Sequence, residues 1–181
     1  MAEVRLRPIR MSDAERCFTW VNDPDVARYL GLTQAPATVA EEKAWIGKVL
    51  GEKDQQRVFV IEDEEGRAIG TCGLRGIDRE AGYALLGIVI GERRRWDRGY
   101  GTAATRALVG YAFGELGLGE VRLSCHPGNR RAVRCYEKAG FEVVEGERGE
   151  DSLGRAQVRM VIRREQCDKT HAEEEAGHEE E

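Results

Sequence analysis

The 181 residues predict a single α+β domain. Three observations lead to it. The first fifty residues read as one strand followed mostly by helix. Residues 57–90 then read as strands in close succession. Beyond them helix and strand alternate as far as residue 162, with no internal repeat and no linker between. A chain of this length suits one domain built around one sizeable core.

Residues 4–9 alternate in polarity as a short strand. Ser12-x-x-Glu15 has the form of a capping box, whose hydroxyl and carboxylate satisfy free amides at a helix start. The helix it opens runs to about Asn22, and Pro24 opens a second, short helix through Leu30. Thr38-x-x-Glu41 repeats the signature before a helix to about Leu50. Residues 57–62 (RVFVIE) are a strand, 63–66 a turn, and 68–74 the returning strand of a hairpin. A loop over 77–80 leads to a long apolar strand, 83–90. The next helix spans about 100–116, with Ala104, Ala107, Leu108, Tyr111 and Ala112 on one face. Residues 121–125 form a strand and 129–139 a short helix. Strands at 141–145 and 157–162 close the domain, making about seven in all.

Composition narrows the class. Charged residues make up 34% and hydrophobic residues 41%, with four prolines, which describes a globular domain with a densely charged surface. No apolar run approaches the ~20 residues of a membrane span. The first residues, MAEVRLRPIRMSD, lack the apolar core of a secretory signal, so a cytoplasmic location is expected. Cys17, Cys72, Cys125, Cys135 and Cys167 form no C-x-x-C pair and suit reduced thiols, the middle three as small buried apolar side chains. His126, His171 and His178 are not spaced to join them in a zinc site, and no metal is expected. From Glu165 to Glu181 there are eight acids and one lysine, a charge of −7, which leaves +2 on residues 1–164. Residues 166–181 are accordingly set apart as an acidic tail without fixed structure, solvating the chain or contacting a partner. The folded domain is residues 1–165.

The stretch 93–102, RRRWDRGYGT, is the first candidate site. It lies between a strand and a helix, where free amides and the positive end of the helix dipole favour an anion. Gly99 and Gly101 let that anion approach the backbone, and Arg93, Arg94, Arg95 and Arg98 add charge. A phosphate cradle is the better reading; a basic turn is the plain one. No Lys-Ser or Lys-Thr follows the glycines, so the phosphate loop of nucleotide triphosphatases is excluded. Gly99, Gly101 and Ala104 match a dinucleotide fingerprint, with Glu120 about twenty residues on. Seven residues separate Gly91 from the first glycine of that pattern, however, and Glu120 precedes its strand rather than following it.

The second candidate is HPGNRRAVRCYEKAGF, residues 126–141. Asn129 is a natural helix cap. Asn129, Ala132, Val133 and Tyr136 follow i, i+3, i+4, i+7 spacing, which places Asn129 and Tyr136 on one face two turns apart. Taken alone, Tyr136 reads better as half-buried packing and Asn129 as only a cap.

Together the two stretches closely resemble the GNAT acyltransferase superfamily, whose members bind acetyl-CoA. The likeness covers roughly residues 4–165 and is strongest over LLGIVIGERRRWDRGYGTAATRAL and NRRAVRCYEKAGF. The opening LRPIRMSDAERCFTWVNDPDVARYL resembles the branch containing ribosomal-protein N-terminal acetyltransferases and several small-amine acetyltransferases. The resemblance implies a mixed, mostly antiparallel sheet with helices on both faces and a splayed pair of strands holding the cofactor. It implies that Val89, Ile90 and Gly91 pair with the pantetheine arm, and that an amide of this strand polarises the thioester carbonyl. Trp96, Asp97, Arg98, Gly99, Tyr100 and Gly101 would wrap the pyrophosphate, largely through backbone amides. Asn129 would hold pantetheine or the incoming amine, and Tyr136 would protonate the departing thiolate.

The acetyl group would pass directly to a neutral amine, since no cysteine has a sequence neighbour that marks it as a nucleophile. Cys135 lies about 100° around the helix from Tyr136. Trp96 stands where the family often has Gln or Arg, as it does in the branch just named. Leu85 stands where related chains often carry a glutamate that acts as base, and neither Glu80 nor Glu92 is an evident replacement. Trp20, Asn22, Asp23 and Tyr29 are candidates for the acceptor site, with Asp23 fixing a cationic amine and Trp20 forming an apolar wall. Their plain readings are helix packing for Trp20 and a helix cap for Asp23.

A protein N-terminus, an aminoglycoside, a polyamine and an amino sugar all stand as acceptors. The alternative function is an acetyl-CoA-binding sensor or assembly module with weak turnover, which Leu85 and the acidic tail keep in view. Nucleic-acid binding is not expected, because the arginines flank the cofactor motifs without an aromatic stacking platform. Dimers are common among similar proteins.

Overall fold

The computed structural model describes residues 2–30, 38–151 and 154–165. The acidic tail, with Cys167, His171 and His178, lies outside them. Seven strands form one sheet: β1 (Arg5–Pro8), β2 (Gln56–Glu62), β3 (Ala68–Asp78), β4 (Tyr83–Ile90), β5 (Glu120–Cys125), β6 (Glu142–Glu150) and β7 (Ala156–Arg163). Their order is β1-β2-β3-β4-β5-β7-β6. Every neighbouring pair is antiparallel except β4–β5, which is parallel and joined by a helical crossover.

Helices cover both faces, as strand alternation requires. On β2, Phe59 and Ile61 enter one core while Val58 and Val60 turn to the other. The larger core holds α4 (Tyr100–Gly114) and α5 (Arg130–Lys138), with Leu108, Val121, Leu123, Tyr136 and Met160 at its centre. The smaller core seats α1 (Ala14–Asn22) and α3 (Val39–Gly51) through Cys17, Trp20, Ile46 and Val49. Between them lies α2 (Pro24–Ala27), a single turn that ends short of the expected Leu30.

Three expectations about boundaries are corrected. Ser12 and Glu15 form no capping box. The chain enters α1 through a 3-10 turn at Met11–Asp13, and Asp13 accepts from the Arg10 amide at 2.7 Å instead. β3 runs on to Asp78, into the expected loop at 77–80, by way of a bulge between Arg75 and Asp78 where Gly76 takes a positive φ of 55°, and the turn begins at Arg79. β6 runs to Glu150 because β7 supplies a partner for a stretch that has no strand-like alternation of its own. The second capping box holds. Thr38 accepts from the Glu41 amide at 3.2 Å, and the Glu41 carboxylate accepts from the Thr38 amide at 3.1 Å.

The feature that positions the site is where β4 and β5 part. They are paired at Tyr83–Glu120, Ala84–Val121 and Leu85–Arg122, and at no residue beyond. Residues 86–90 keep β3 on one side and, among the described residues, have no strand on the other. This is the splayed pair that the resemblance implied.

Candidate active site

Past the end of β4 the chain makes a 3-10 turn at Arg93–Arg95, then turns sharply into α4. Asp97 and Gly99 both take left-handed backbone conformations, with φ of 57° and 88°. Glycine meets that demand without strain, and aspartate is among the few residues that tolerate it. The first hydrogen bond of α4 runs from the Ala103 amide to the Gly99 carbonyl at 3.0 Å, leaving the amides of Tyr100, Gly101 and Thr102 free at its N-terminus. Gly101 has a second duty. A Cβ there would lie 3.1 Å from Cys135 Sγ, so the glycine lets α4 and α5 approach closely. Cys135 therefore faces α4.

The arginines divide into two groups. Arg95 is withdrawn into the protein, where its Nη2 donates to Asp63 at 2.7 Å and its guanidinium lies over the Tyr100 ring. Arg93 bonds Asp25 at 2.6 Å and lies 3.8 Å from Asp23. Arg94, Arg98, Arg130 and Arg134 have no ion-pair partner among the described residues and remain available to an anion. Trp96 is fixed from two sides. Its Nε1 donates to the Ile90 carbonyl at 2.7 Å, and the Arg131 guanidinium lies 3.6 Å from its ring centroid. Tyr100 is buried, and its hydroxyl donates to the Glu64 carboxylate at 2.8 Å. Only its backbone is open to a ligand.

On α5, Asn129 caps the helix by accepting from the Ala132 amide at 3.2 Å, and its side-chain NH2 has no partner among the described residues. Tyr136 is 6% exposed, its ring tilted against Phe141, and its hydroxyl has no hydrogen-bond partner among the described residues. Burial pushes its pKa well up, so the phenol holds its proton across the working range of pH. Burial likewise raises the thiols, Cys17 to about 12 and Cys125 to about 11, with Cys72 and Cys135 shifted in the same direction. None of these four is a ready thiolate.

On the opposite face of the sheet a cleft is lined by Glu15, Trp20, Asp23, Glu92, Arg94 and Trp96. Trp20 is buried, its ring laid over Gly91 and its Nε1 donating to Glu92 Oε1 at 3.0 Å. Asp23 caps α2 through bonds from the amides of Asp25 and Val26. The plain readings of both residues thus hold, while both still border the cleft. Leu85 sits between Arg75 and Arg122 in the sheet register, with no carboxylate in its place. The Asp63–Arg95, Glu64–Tyr100 and Trp20–Glu92 contacts join residues 32 to 72 positions apart, and no local pattern announces them.

The fold is that of acyl-transferring enzymes with a split sheet. A spermidine N-acetyltransferase from Vibrio cholerae, solved with CoA and spermine, superposes with a TM-score of 0.81 over 91% of this chain and 97% of that one, at 22% identity. The uncharacterized N-acetyltransferase p20 of Bacillus licheniformis is 29% identical over 141 residues, spanning 76% of this chain and 78% of that protein. Aminoglycoside N(6')-acetyltransferase type 1 of Klebsiella pneumoniae is 26% identical over 159 residues, 77% and 74% of the two chains. The family described as the acetyltransferase (GNAT) domain matches residues 3–142, and the protein belongs to it. None of these three relatives is named for ribosomal proteins.

Proposed function

We propose that the protein transfers the acetyl group of acetyl-CoA directly to a primary amine, with Tyr136 supplying the proton that the departing thiolate needs. One observation carries this reading. The reading is supported by the open edge of β4, the amides of residues 100–102 at the start of α4, which packs on β4, and Tyr136 on α5, which packs on α4. The residues present fit acetyl-CoA: a backbone cradle with unpaired arginines for its phosphates, and an unpaired strand edge for its amide-bearing arm. Acetyl-CoA supplies an activated acetyl thioester. Trp96, Asp97, Arg98, Gly99, Tyr100 and Gly101 orient the phosphates, chiefly through their amides. Val89 and Ile90 align the arm, with the Ile90 carbonyl already taken by Trp96. Gly91 shapes the acceptor side by seating Trp20. Asn129 directs its free NH2 at the arm or the amine. Tyr136 stands protonated, gives its proton to sulfur as the C–S bond breaks, and regains the proton that the acylated nitrogen sheds. With Leu85 at the seam, the amine enters as the free base.

The acceptor we infer is a small polyamine or an aminoglycoside, supported by the substrates named for the relatives, with the carboxylates of Glu15, Asp23 and Glu92 sharing the cleft with Arg16, Arg93 and Arg94. A peptide α-amine is the second class, from the likeness of the opening stretch.

The test is CoA release, detected by mass, across a panel of polyamines, aminoglycosides and short peptides. Turnover with one class names the acceptor. Tyr136→Phe should lower kcat by about 10²–10⁴ with acetyl-CoA binding retained, the usual range for a lost general acid. Unchanged turnover in that variant sinks the assignment. Binding of acetyl-CoA without turnover of any amine would favour the sensor. Light scattering on the same sample tests the dimer.

A further inference from the structure

The phosphate cradle is clamped at both ends by one hairpin turn on the neighbouring strands. Asp63 and Glu64 are consecutive residues in the β2–β3 turn. Asp63 holds Arg95, just before the cradle, and Glu64 holds Tyr100, the first residue of α4. Between the two anchors lie only Trp96, Asp97, Arg98 and Gly99, which include both left-handed residues. Asp63 is itself locked. Its Oδ1 accepts from the amides of Glu65 and Arg67 at 3.0 and 2.9 Å, and its Oδ2 accepts from Arg67 Nε at 3.0 Å and Arg95 Nη2 at 2.7 Å. The carboxylate is buried, and such a group accepting four bonds is a rigid post. Arg95 also reaches the Tyr100 hydroxyl at 3.4 Å, closing the two anchors into one network.

We propose that Asp63 and Glu64 are positioning residues for the cofactor: by pinning Arg95 and Tyr100 they hold the amides of the 96–101 segment in their ligand-binding arrangement before the ligand arrives. Neither carboxylate need touch the ligand, and both carry the wrong charge to do so. Asp63 spends the charge of Arg95 on structure, leaving Arg94, Arg98, Arg130 and Arg134 to meet phosphate. Preordering the segment removes an entropic cost that binding would otherwise bear. The inference rests on the acetyl-CoA reading, and it confines the effect of the turn to the nucleotide and pyrophosphate end of the donor.

The experiment compares two donors, acetyl-CoA and S-acetyl-pantetheine, which lacks the nucleotide and pyrophosphate. Asp63→Asn keeps an oxygen for the turn amides and loses the charge that holds Arg95; Arg95→Gln cuts the same link from the other end. Each should raise KM for acetyl-CoA about tenfold, with kcat and the KM for the amine within about twofold. Kinetics with S-acetyl-pantetheine should be those of the parent. The double variant should raise that KM no further than Arg95→Gln alone, because the Arg67 bond that Asp63→Asn also loses lies within the turn itself. Equal losses with both donors, or an unchanged acetyl-CoA KM, overturn the proposal. Should Asp63→Asn not fold, Arg95→Gln decides alone. A parent protein that binds no acetyl-CoA overturns the functional reading itself, an outcome distinct from a parent that binds and variants that match it.

Discussion

Only a hydrogen atom on Gly91 separates the backbone from the ring of Trp20. A Cβ built there would lie 2.0 Å from the indole, nearer than any real contact permits. Gly91→Ala should therefore displace Trp20, break its bond to Glu92 and cost about 1–3 kcal/mol, as overpacked sites do. Urea unfolding measures the loss, and indole fluorescence reports the displacement. Asp23 invites a finer distinction between its two roles. Asn is as good a cap as Asp but carries no charge. Asp23→Asn should leave the melting temperature unchanged while Asp23→Ala lowers it. If Asp23 also fixes the acceptor's ammonium, Asp23→Asn alone raises the KM for the amine. At this scale the sequence was most informative where chemistry is local. Gly99 and Asn129 could be named from their neighbours, and Tyr136 only through the family resemblance. Trp20 over Gly91, or Arg95 on Asp63, could not, because those pairings exist only once the sheet has formed.

Among the elements, the contrast between two capping signatures is instructive. Thr38-x-x-Glu41 forms its reciprocal bonds, while Ser12-x-x-Glu15 is pre-empted. Arg7 grips Asp13 through two hydrogen bonds of 2.9 Å, and that carboxylate turns back to the Arg10 amide. A contact with β1 thus moves the start of α1, and no four-residue pattern contains it. Thr38→Ala should destabilise the protein by about 1 kcal/mol, read from chemical denaturation, with Thr38→Ser restoring most of it. Ser12→Ala should have no comparable effect. Strand lengths were misjudged for a related reason: β3 and β6 are extended by their partners, through bulges, beyond the point where their own side chains alternate.

For the molecule as a whole, ion pairs set the response to acid. Arg7 bridges Asp13 and Glu62, and Arg5 adds a second bond to Glu62, so the start of α1 is tied to β1 and β2. The Arg7 hydrogen bond chiefly holds Glu62 below the usual carboxylate range, against the upward pull of burial. For Asp13 burial pulls upward, and the bonds from Arg7 and Arg10 carry it down. Asp63 behaves alike, its burial outweighed by bonds from Arg67 and the turn amides. A carboxylate with a lowered folded pKa gives stability that is complete above its unfolded value and lost as pH falls through the folded one. The melting temperature should accordingly hold near neutrality and fall steeply below about pH 4, the ordinary carboxylate value. A flat profile from pH 7 to pH 3 would contradict the network.

The parting of β4 and β5 reaches beyond the site it opens. It makes the sheet two hydrogen-bonded ladders, β1-β2-β3-β4 and β5-β7-β6, stitched together by three residue pairs at one end. At that same end the Gly82 carbonyl accepts from the amides of Gly119 and Glu120, and α4 and α5 pack across the two halves. The molecule thus carries a built-in seam, and whatever lies along it closes the open end as a stitch would. A ligand lying along the opening would add a link between halves that the sheet itself joins only at its other end.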